Sequence, residues 1–285
     1  MEIVLSKGFL VAAQNNEKYD YVKQAYALAL SIKMSQTDIT SVSVMTNDEI
    51  PEQYKKVFDK IIPIPWGDSA EDKDWKVENR WKLYHVSPYE ETIVLDTDML
   101  LLEDISLWWK HCEVYDLLFC SKVKNYKGNF ILKDTFHRKA FIENKLSNPY
   151  FALHYFKKSE LAHNFYKILE FVTNNWEYCW TKFAPNYYQN WLSMDLATAI
   201  AIEILDCHGQ VLDSGPLEFI HMKPAIQGWI SRREKWVETV PYVLNNRKEL
   251  IVGNMKQSKI FHYTEKEFLS DNLIKLLEGL VYNGV

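Results

Sequence analysis

One stretch constrains this 285-residue chain more than any other: Thr92-Ile93-Val94-Leu95-Asp96-Thr97-Asp98-Met99, continued by Leu100-Leu101-Leu102. An apolar run enters two aspartates, and a second apolar run leaves them. Carboxylates flanked on both sides by core are costly unless something partners them. In an extended chain, residues i and i+2 point to the same face. Asp96 and Asp98 would therefore present paired anions at the carboxyl end of a strand, the edge where open α/β sheets bind ligands. Such a pair needs a cation between its members. Hard oxygen ligands suit Mg²⁺ or Mn²⁺, which keep open positions for phosphate oxygens. The plainer alternative makes Asp98 a turn residue and Asp96 a strand-end cap.

The rest of the first hundred residues fits a strand in the middle of a layered sheet. Residues 8–14 read as a buried strand, and residues 18–34 as a helix with Val22, Ala25, Tyr26, Ala29 and Ile32 at helical spacing. Residues 41–46 alternate like a strand, and residues 61–66 are extended around two prolines. Residues 76–86 read as a helix with Arg80 and Lys82 on its polar face, and residues 92–95 as a strand. The order β-α-β-β-α-β implies an α/β fold, a single mostly parallel central sheet flanked by helices.

The second part is less regular. Strands are expected at 116–120, 150–156, 217–221 and 259–263. An amphipathic helix over 159–174 starts at Ser159, and residues 194–205 form a helix apolar nearly all round. A last helix is expected from Thr264, with Glu267 completing a capping box. No repeat or Ser/Gly-rich linker divides the chain, so residues 1–285 read as one domain.

Composition closes off several classes. With 47% hydrophobic residues the chain can build a large core, which excludes global disorder. A formal charge of -5 argues against nucleic-acid binding by overall charge. Cys112, Cys120, Cys179 and Cys207 contain no CxxC pair and read as buried thiols of a reducing compartment. The N-terminus lacks a basic n-region, and no apolar run reaches the ~18 residues of a membrane span. The expectation is a cytoplasmic protein. Many Lys and Asn with few Gly hint at an AT-rich, viral or phage genome.

A strand, D-x-D and an apolar run inside an N-terminal βα half resemble the GT-A fold of nucleotide-sugar glycosyltransferases, and in particular the glycogenin and bacterial lipooligosaccharide galactosyltransferase family. Ala13-Gln14-Asn15-Asn16-Glu17-Lys18-Tyr19 is similar to the family's Asn/Asp-x-x-Tyr segment after the first strand. Lys259-Ile260-Phe261-His262-Tyr263-Thr264 is similar to its late His-Tyr-Thr-Gly strand; Glu265 replaces the Gly, and of the Lys-Pro-Trp that should follow only Lys266 is present.

The resemblance implies Asp96, Asp98 and His262 as ligands of Mn²⁺ or Mg²⁺. Ala13, Asn15, Tyr19, Thr97, Lys266 and one of Arg80 and Lys82 would then contact a nucleotide-diphosphate sugar, by family a UDP-sugar; the other of the pair would be merely solvated. It divides the chain into a nucleotide-binding half at 1–105 and a sugar/acceptor half at 106–285. It also implies transfer with retention. His221, at the end of another apolar strand, competes for the metal, and His221 and Lys223 are further donor-site candidates. Asp195, the catalytic candidate, opens the buried helix where the family places an acid facing the donor sugar; the alternative is a charge favoured by the helix dipole. Asn148-Pro149-Tyr150 falls where the family has an Asn-Ser-Gly turn. Among ten tryptophans, Trp191 and Trp229 lie beside these segments and are the sugar-contact candidates.

The acceptor is open: a glycan, a lipid-linked sugar, a protein or modified DNA. Basic clusters at 122–127 and 231–235 would serve DNA, but such runs are usually solvated faces. Two other readings compete. A haloacid-dehalogenase-type phosphatase also uses strand-D-x-D, but wants Thr or Val where Leu100 stands, near the start of the chain. A non-catalytic nucleotide-sugar or glycan-binding protein would share the fold and lack turnover.

Overall fold

The structure is a computed structural model and describes residues 5–131, 138–186, 191–227 and 235–282. Its strands are β1 (Leu5–Ala12), β2 (Val42–Met45), β3 (Lys60–Ile62), β4 (Tyr89–Leu95), β5 (Met99–Leu101), β6 (Leu117–Cys120) and β7 (Lys122–Lys124). The later ones are β8 (Tyr150–Lys157), β9 (Glu218–His221), β10 (Tyr242–Leu244), β11 (Leu250–Val252), β12 (Met255–Lys256) and β13 (Ile260–His262).

Six strands form the central sheet in the order β3-β2-β1-β4-β8-β6. The first four run parallel, and β8 is antiparallel to both of its neighbours. This is the mostly parallel sheet expected from the element order. A second sheet, β5-β13-β9-β7, and a small antiparallel sheet, β10-β11-β12, were not anticipated as sheets.

The central sheet is buried on both faces. Phe9 and Val11 of β1 and Ile93 and Leu95 of β4 enter one core, shared with the helix Tyr21–Ser35 and the second sheet. Leu10 and Val94 point the other way, into a core with the helices Glu160–Asn174 and Met194–Leu205. Strand alternation thus produces two cores from one sheet. The helices start where side chains satisfy free N–H groups. Asp20, Ser159 and Ser193 accept from Lys23, Ala162 and Leu196 N–H respectively, each cap stabilising by about 1 kcal/mol.

Two expected helices are corrected. Over 76–86 there is only a 3₁₀ turn, Arg80–Lys82, followed by Leu83–Val86. The side chain of Asn79 accepts from Ser69 N–H and donates to Gln14, which ties the preceding segment to other loops, and Ser87 before Pro88 ends the helix. Lys82 is not on a polar face: it is 1% exposed. The last helix spans Asp271–Tyr282 rather than starting at Thr264. Thr264 has a left-handed φ of 58°, the Glu265 carboxylate accepts from Val237 N–H, and Ser270 Oγ accepts from Leu273 N–H.

The four cysteines are all buried, and burial pushes the thiols of Cys112 and Cys120 up to about 12. No helix among the described residues is long and apolar enough to cross a membrane.

Gly8 of β1 lies under the fully buried ring of Tyr89 at the start of β4, whose hydroxyl shares a 2.7 Å hydrogen bond with Ser43 Oγ. A methyl group on Gly8 would overlap that ring. Gly8→Ala is expected to lower the unfolding free energy by about 1–3 kcal/mol through overpacking. Urea denaturation reads this directly; an unchanged midpoint would show that the ring can move aside.

Candidate active site

Where β4 ends, the chain passes from one sheet to the other. Asp96 N–H still donates to Ala152 O of β8 at 3.0 Å. Asp98 O already accepts from Tyr263 N–H at 3.1 Å, and Met99 stands opposite His262 in the antiparallel β5–β13 pairing. The two carboxylates therefore sit at the junction of the sheets, and β13 delivers His262 to the same point. One ligand atom from each of Asp96, Asp98 and His262 lies within 4.8 Å of the others.

Cations surround this group. Arg80, on the 3₁₀ turn before β4, pairs with Asp96. Lys266, on the turn after β13, pairs with Asp98, and His262 Nε2 is 2.9 Å from the same carboxylate. Burial alone would raise the Asp98 carboxyl, but His262 and Lys266 outweigh it and hold it far below the usual carboxylate range. Burial alone would lower both cations; Asp96 raises Arg80, Asp98 raises Lys266, and both end above their ordinary values. Two hard carboxylates and an imidazole converging on one point make a donor set that fits a divalent metal ion.

A cavity of about 510 Å³ opens over these residues. Thr97, Arg80, Lys266 and the acids line it, together with His221, Lys223, Asp195 and Trp191. His221 is opposite His262 in the parallel β9–β13 pairing, and the two rings stack at 4.6 Å and 10°. It is His262, and not His221, that joins the acid pair. Lys223 follows β9 at the exposed rim of the cavity.

Asp195 occupies the first turn of the helix Met194–Leu205. Its Oδ1 accepts from Phe151 N–H at 2.8 Å and its Oδ2 from Arg138 at 2.6 Å. Arg138 is itself buried between the rings of Phe141 and Tyr150, each 4.0 Å away, and donates to Asn148 Oδ1 and Pro149 O. Asn148 and Pro149 thus hold Arg138, while Tyr150 itself lines the cavity.

Several expected contacts lie elsewhere. Lys82 does not line this cavity; its ammonium donates to Gly67 O at 2.6 Å and Asn79 Oδ1 at 2.7 Å. Ala13, Asn15 and Tyr19 stand beyond the carboxyl end of β1, off the cavity wall. Asn15 Oδ1 accepts from Val22 N–H, its own N–H donates to Asp48, and Tyr19 meets the ring edge of the lining residue Tyr21 at 6.4 Å. Trp229 and residues 231–234 of the second basic cluster lie outside the described residues. Lys122 and Lys124 of the other cluster are engaged with Gly215 O and Glu218. Tyr21, Trp75 and Val77 line the cavity without having been anticipated. Trp75, an exposed tryptophan within a charged loop, carried a usable signal; Arg138, joined to Asp195 across 57 positions, carried none.

No family model matches the chain, and no curated protein matches its sequence. Solved structures do. Galactosyltransferase LgtC, in complex with donor and acceptor sugar analogs, aligns over 95% of both chains with a TM-score of 0.55 at 13% identity. Glycosyltransferase GlyE of Streptococcus pneumoniae TIGR4 aligns over 73% of this chain at 12% identity and a TM-score of 0.42, and the match spans about 45% of the GlyE chain. The fold of this chain is the GT-A glycosyltransferase fold.

The Asp98–Lys266 pair should be visible in stability. The lowered Asp98 contributes stability fully above the unfolded carboxylate value of ~3.9 and loses it as pH falls through the lower folded value. Lys266→Met should cost about 3 kcal/mol at pH 7, by leaving a buried carboxylate with one partner fewer. The gap from wild type should shrink on acidification to pH ~3. Urea unfolding at the two pH values, in chelator, checks both signs.

Proposed function

We infer that this chain is a metal-dependent glycosyltransferase that moves a sugar from a nucleotide-diphosphate sugar, a UDP-sugar by resemblance, to an acceptor with retention. The observation that carries this is the convergence of Asp96, Asp98 and His262, flanked by Arg80 and Lys266, on one cavity of a GT-A fold. Asp96, Asp98 and His262 would hold Mn²⁺ or Mg²⁺. A divalent ion supplies charge stabilisation to the departing diphosphate.

The chain's own residues do the rest. Arg80, with its planar fork, and Lys266 and Lys223 bind phosphate oxygens and offset the negative charge that grows on the leaving group. Trp191, 57% exposed at the cavity wall, offers an aromatic face to a sugar. Retention is favoured by the state of Asp195. Among the described lining residues the carboxylates are Asp96, Asp98 and Asp195. Asp195 is already bound by Arg138 and Phe151 N–H, a poor arrangement for a base that must take an acceptor proton. It serves better as a fixed acceptor of sugar hydroxyls. Lining the cavity with tryptophans and an anchored acid suits a saccharide acceptor over DNA, the more so because the basic residues Lys122 and Lys124 are engaged elsewhere.

A thermal-shift screen against UDP, GDP, CDP and their sugars, with and without Mn²⁺, tests the donor site. UDP with Mn²⁺ at a hundredfold excess over Kd should raise the melting temperature by about 5 °C, and neither alone should match it. No shift with any nucleotide would move the protein to the glycan-binding alternative. Asp96→Asn and Asp98→Asn should each weaken Mn²⁺ binding by more than the roughly 10–100-fold that loss of an outer partner costs, and should abolish turnover. Full activity of both variants in chelator would sink the metal-site reading.

A further inference from the structure

A second pocket, about 360 Å³, lies on the other side of the 3₁₀ turn Arg80–Lys82, and it falls within the roughly 300–1,000 Å³ of small-molecule sites. One wall is aromatic. Trp66, 69% exposed, lies parallel to the buried Trp81 at 5.6 Å and 9°, and His85 meets both rings edge-on. The facing wall is polar: Lys167, Glu170 and Asn174 project from the helix Glu160–Asn174 at positions i, i+3 and i+7. Trp81 Nε1, in a side chain that is 5% exposed, and His85 Nε2 are buried with no hydrogen-bond partner among the described residues.

The aromatic wall is held in place at a cost. Trp66 has φ of 56° and Gly67 φ of 81°, a left-handed pair that a bulky aromatic residue rarely adopts. The fully buried ammonium of Lys82 donates to Gly67 O at 2.6 Å and fixes that turn. A core packed for stability alone has no use for a buried lysine that props an exposed tryptophan over another tryptophan.

We propose that this pocket is a second saccharide-binding subsite, which takes one pyranose unit of an uncharged glycan on the face of Trp66. A pyranose presents C–H faces to an aromatic plane and a rim of hydroxyls to amide, carboxylate and ammonium groups, which matches the two walls. A phosphate ligand fits less well. Lys82 is already committed to Gly67 O and Asn79 Oδ1, and the Glu170 carboxylate lines the same pocket and would repel an anion. The subsite rests on its own lining and does not require turnover at the first cavity.

Calorimetric titration and tryptophan fluorescence of the full chain with maltohexaose, cellohexaose and chitohexaose test it. Saturable binding of at least one is expected. Trp66→Ala should weaken that binding at least tenfold with the melting temperature unchanged, since the ring is largely exposed. Asn174→Ala, at the exposed end of its helix, should weaken it severalfold and guards against a folding artefact at Trp66. The thermal shift with UDP and Mn²⁺ should survive in both variants. Absence of saturable binding to all three probes would overturn the proposal, as would unchanged affinity in Trp66→Ala or joint loss of the UDP shift. The first two results would leave the donor-site reading untouched.

Discussion

The passage of the chain from β4 to β5 is the constraint on which the molecule turns. Two sheets meet where Asp96 is bonded to Ala152 and Asp98 to Tyr263, and the residue between them, Thr97, is 2% exposed. Anions at such a crossing would push the sheets apart unless they were compensated. Arg80 from before β4, and His262 and Lys266 from around β13, supply that compensation from segments far apart in the chain. The same charges that close the junction form the most polar part of the cavity, so structural and chemical demands fall on one set of side chains. This is a common way for a fold to retain a buried ionic cluster whose net contribution to stability is small.

The parts legible in the sequence were those with local causes. The strand before Asp96 is apolar and short, so its burial follows from its composition; the two acids meet by another route than the extended one expected, because Thr97 and Asp98 form a turn between β4 and β5. Ser159 announces its helix because capping is a local hydrogen bond. The two-core alternation of β1 and β4 was implicit in their apolar runs. His262 was found only through resemblance to a family; its own neighbourhood, a histidine ending a strand, is shared by His221. What separates them is which strand pairs with β5, and no local pattern encodes that.

The misreadings share a cause: tertiary contacts overrode local preference. The capping pattern at Thr264 and Glu267 is genuine as a sequence motif. The chain instead takes a left-handed turn at Thr264 that brings Lys266 to Asp98. The polar-face assignment of Lys82 failed because a lysine was buried to hold a carbonyl in the turn at Gly67. Arg138 was invisible for a different reason. Its partners, Asn148 and Asp195, are near it only because β8 and the helix Met194–Leu205 pack together. In each case the departure from the expected pattern falls at a pocket, where local rules are most often broken for a purpose.

Strand β8 couples the two acidic ends of the cavity. Phe151 N–H holds Asp195, and the very next residue, Ala152, accepts from Asp96 N–H. One peptide step thus works as a caliper whose jaws are the two carboxylate-bearing segments. The caliper has an adjusting screw close by. The pairing of β6 with β8 shifts register between Phe119 and Cys120: Phe119 stands opposite His154 and Cys120 opposite Tyr150, so Phe151, Ala152 and Leu153 are skipped by the β6 ladder. A residue gained or lost between Phe151 and Ala152, inside that skipped stretch, would move one jaw against the other by about one strand rise, ~3.3 Å, without disturbing the β6 ladder on either side. The distance between the acids is, on this geometry, a dimension that evolution can retune with a single codon.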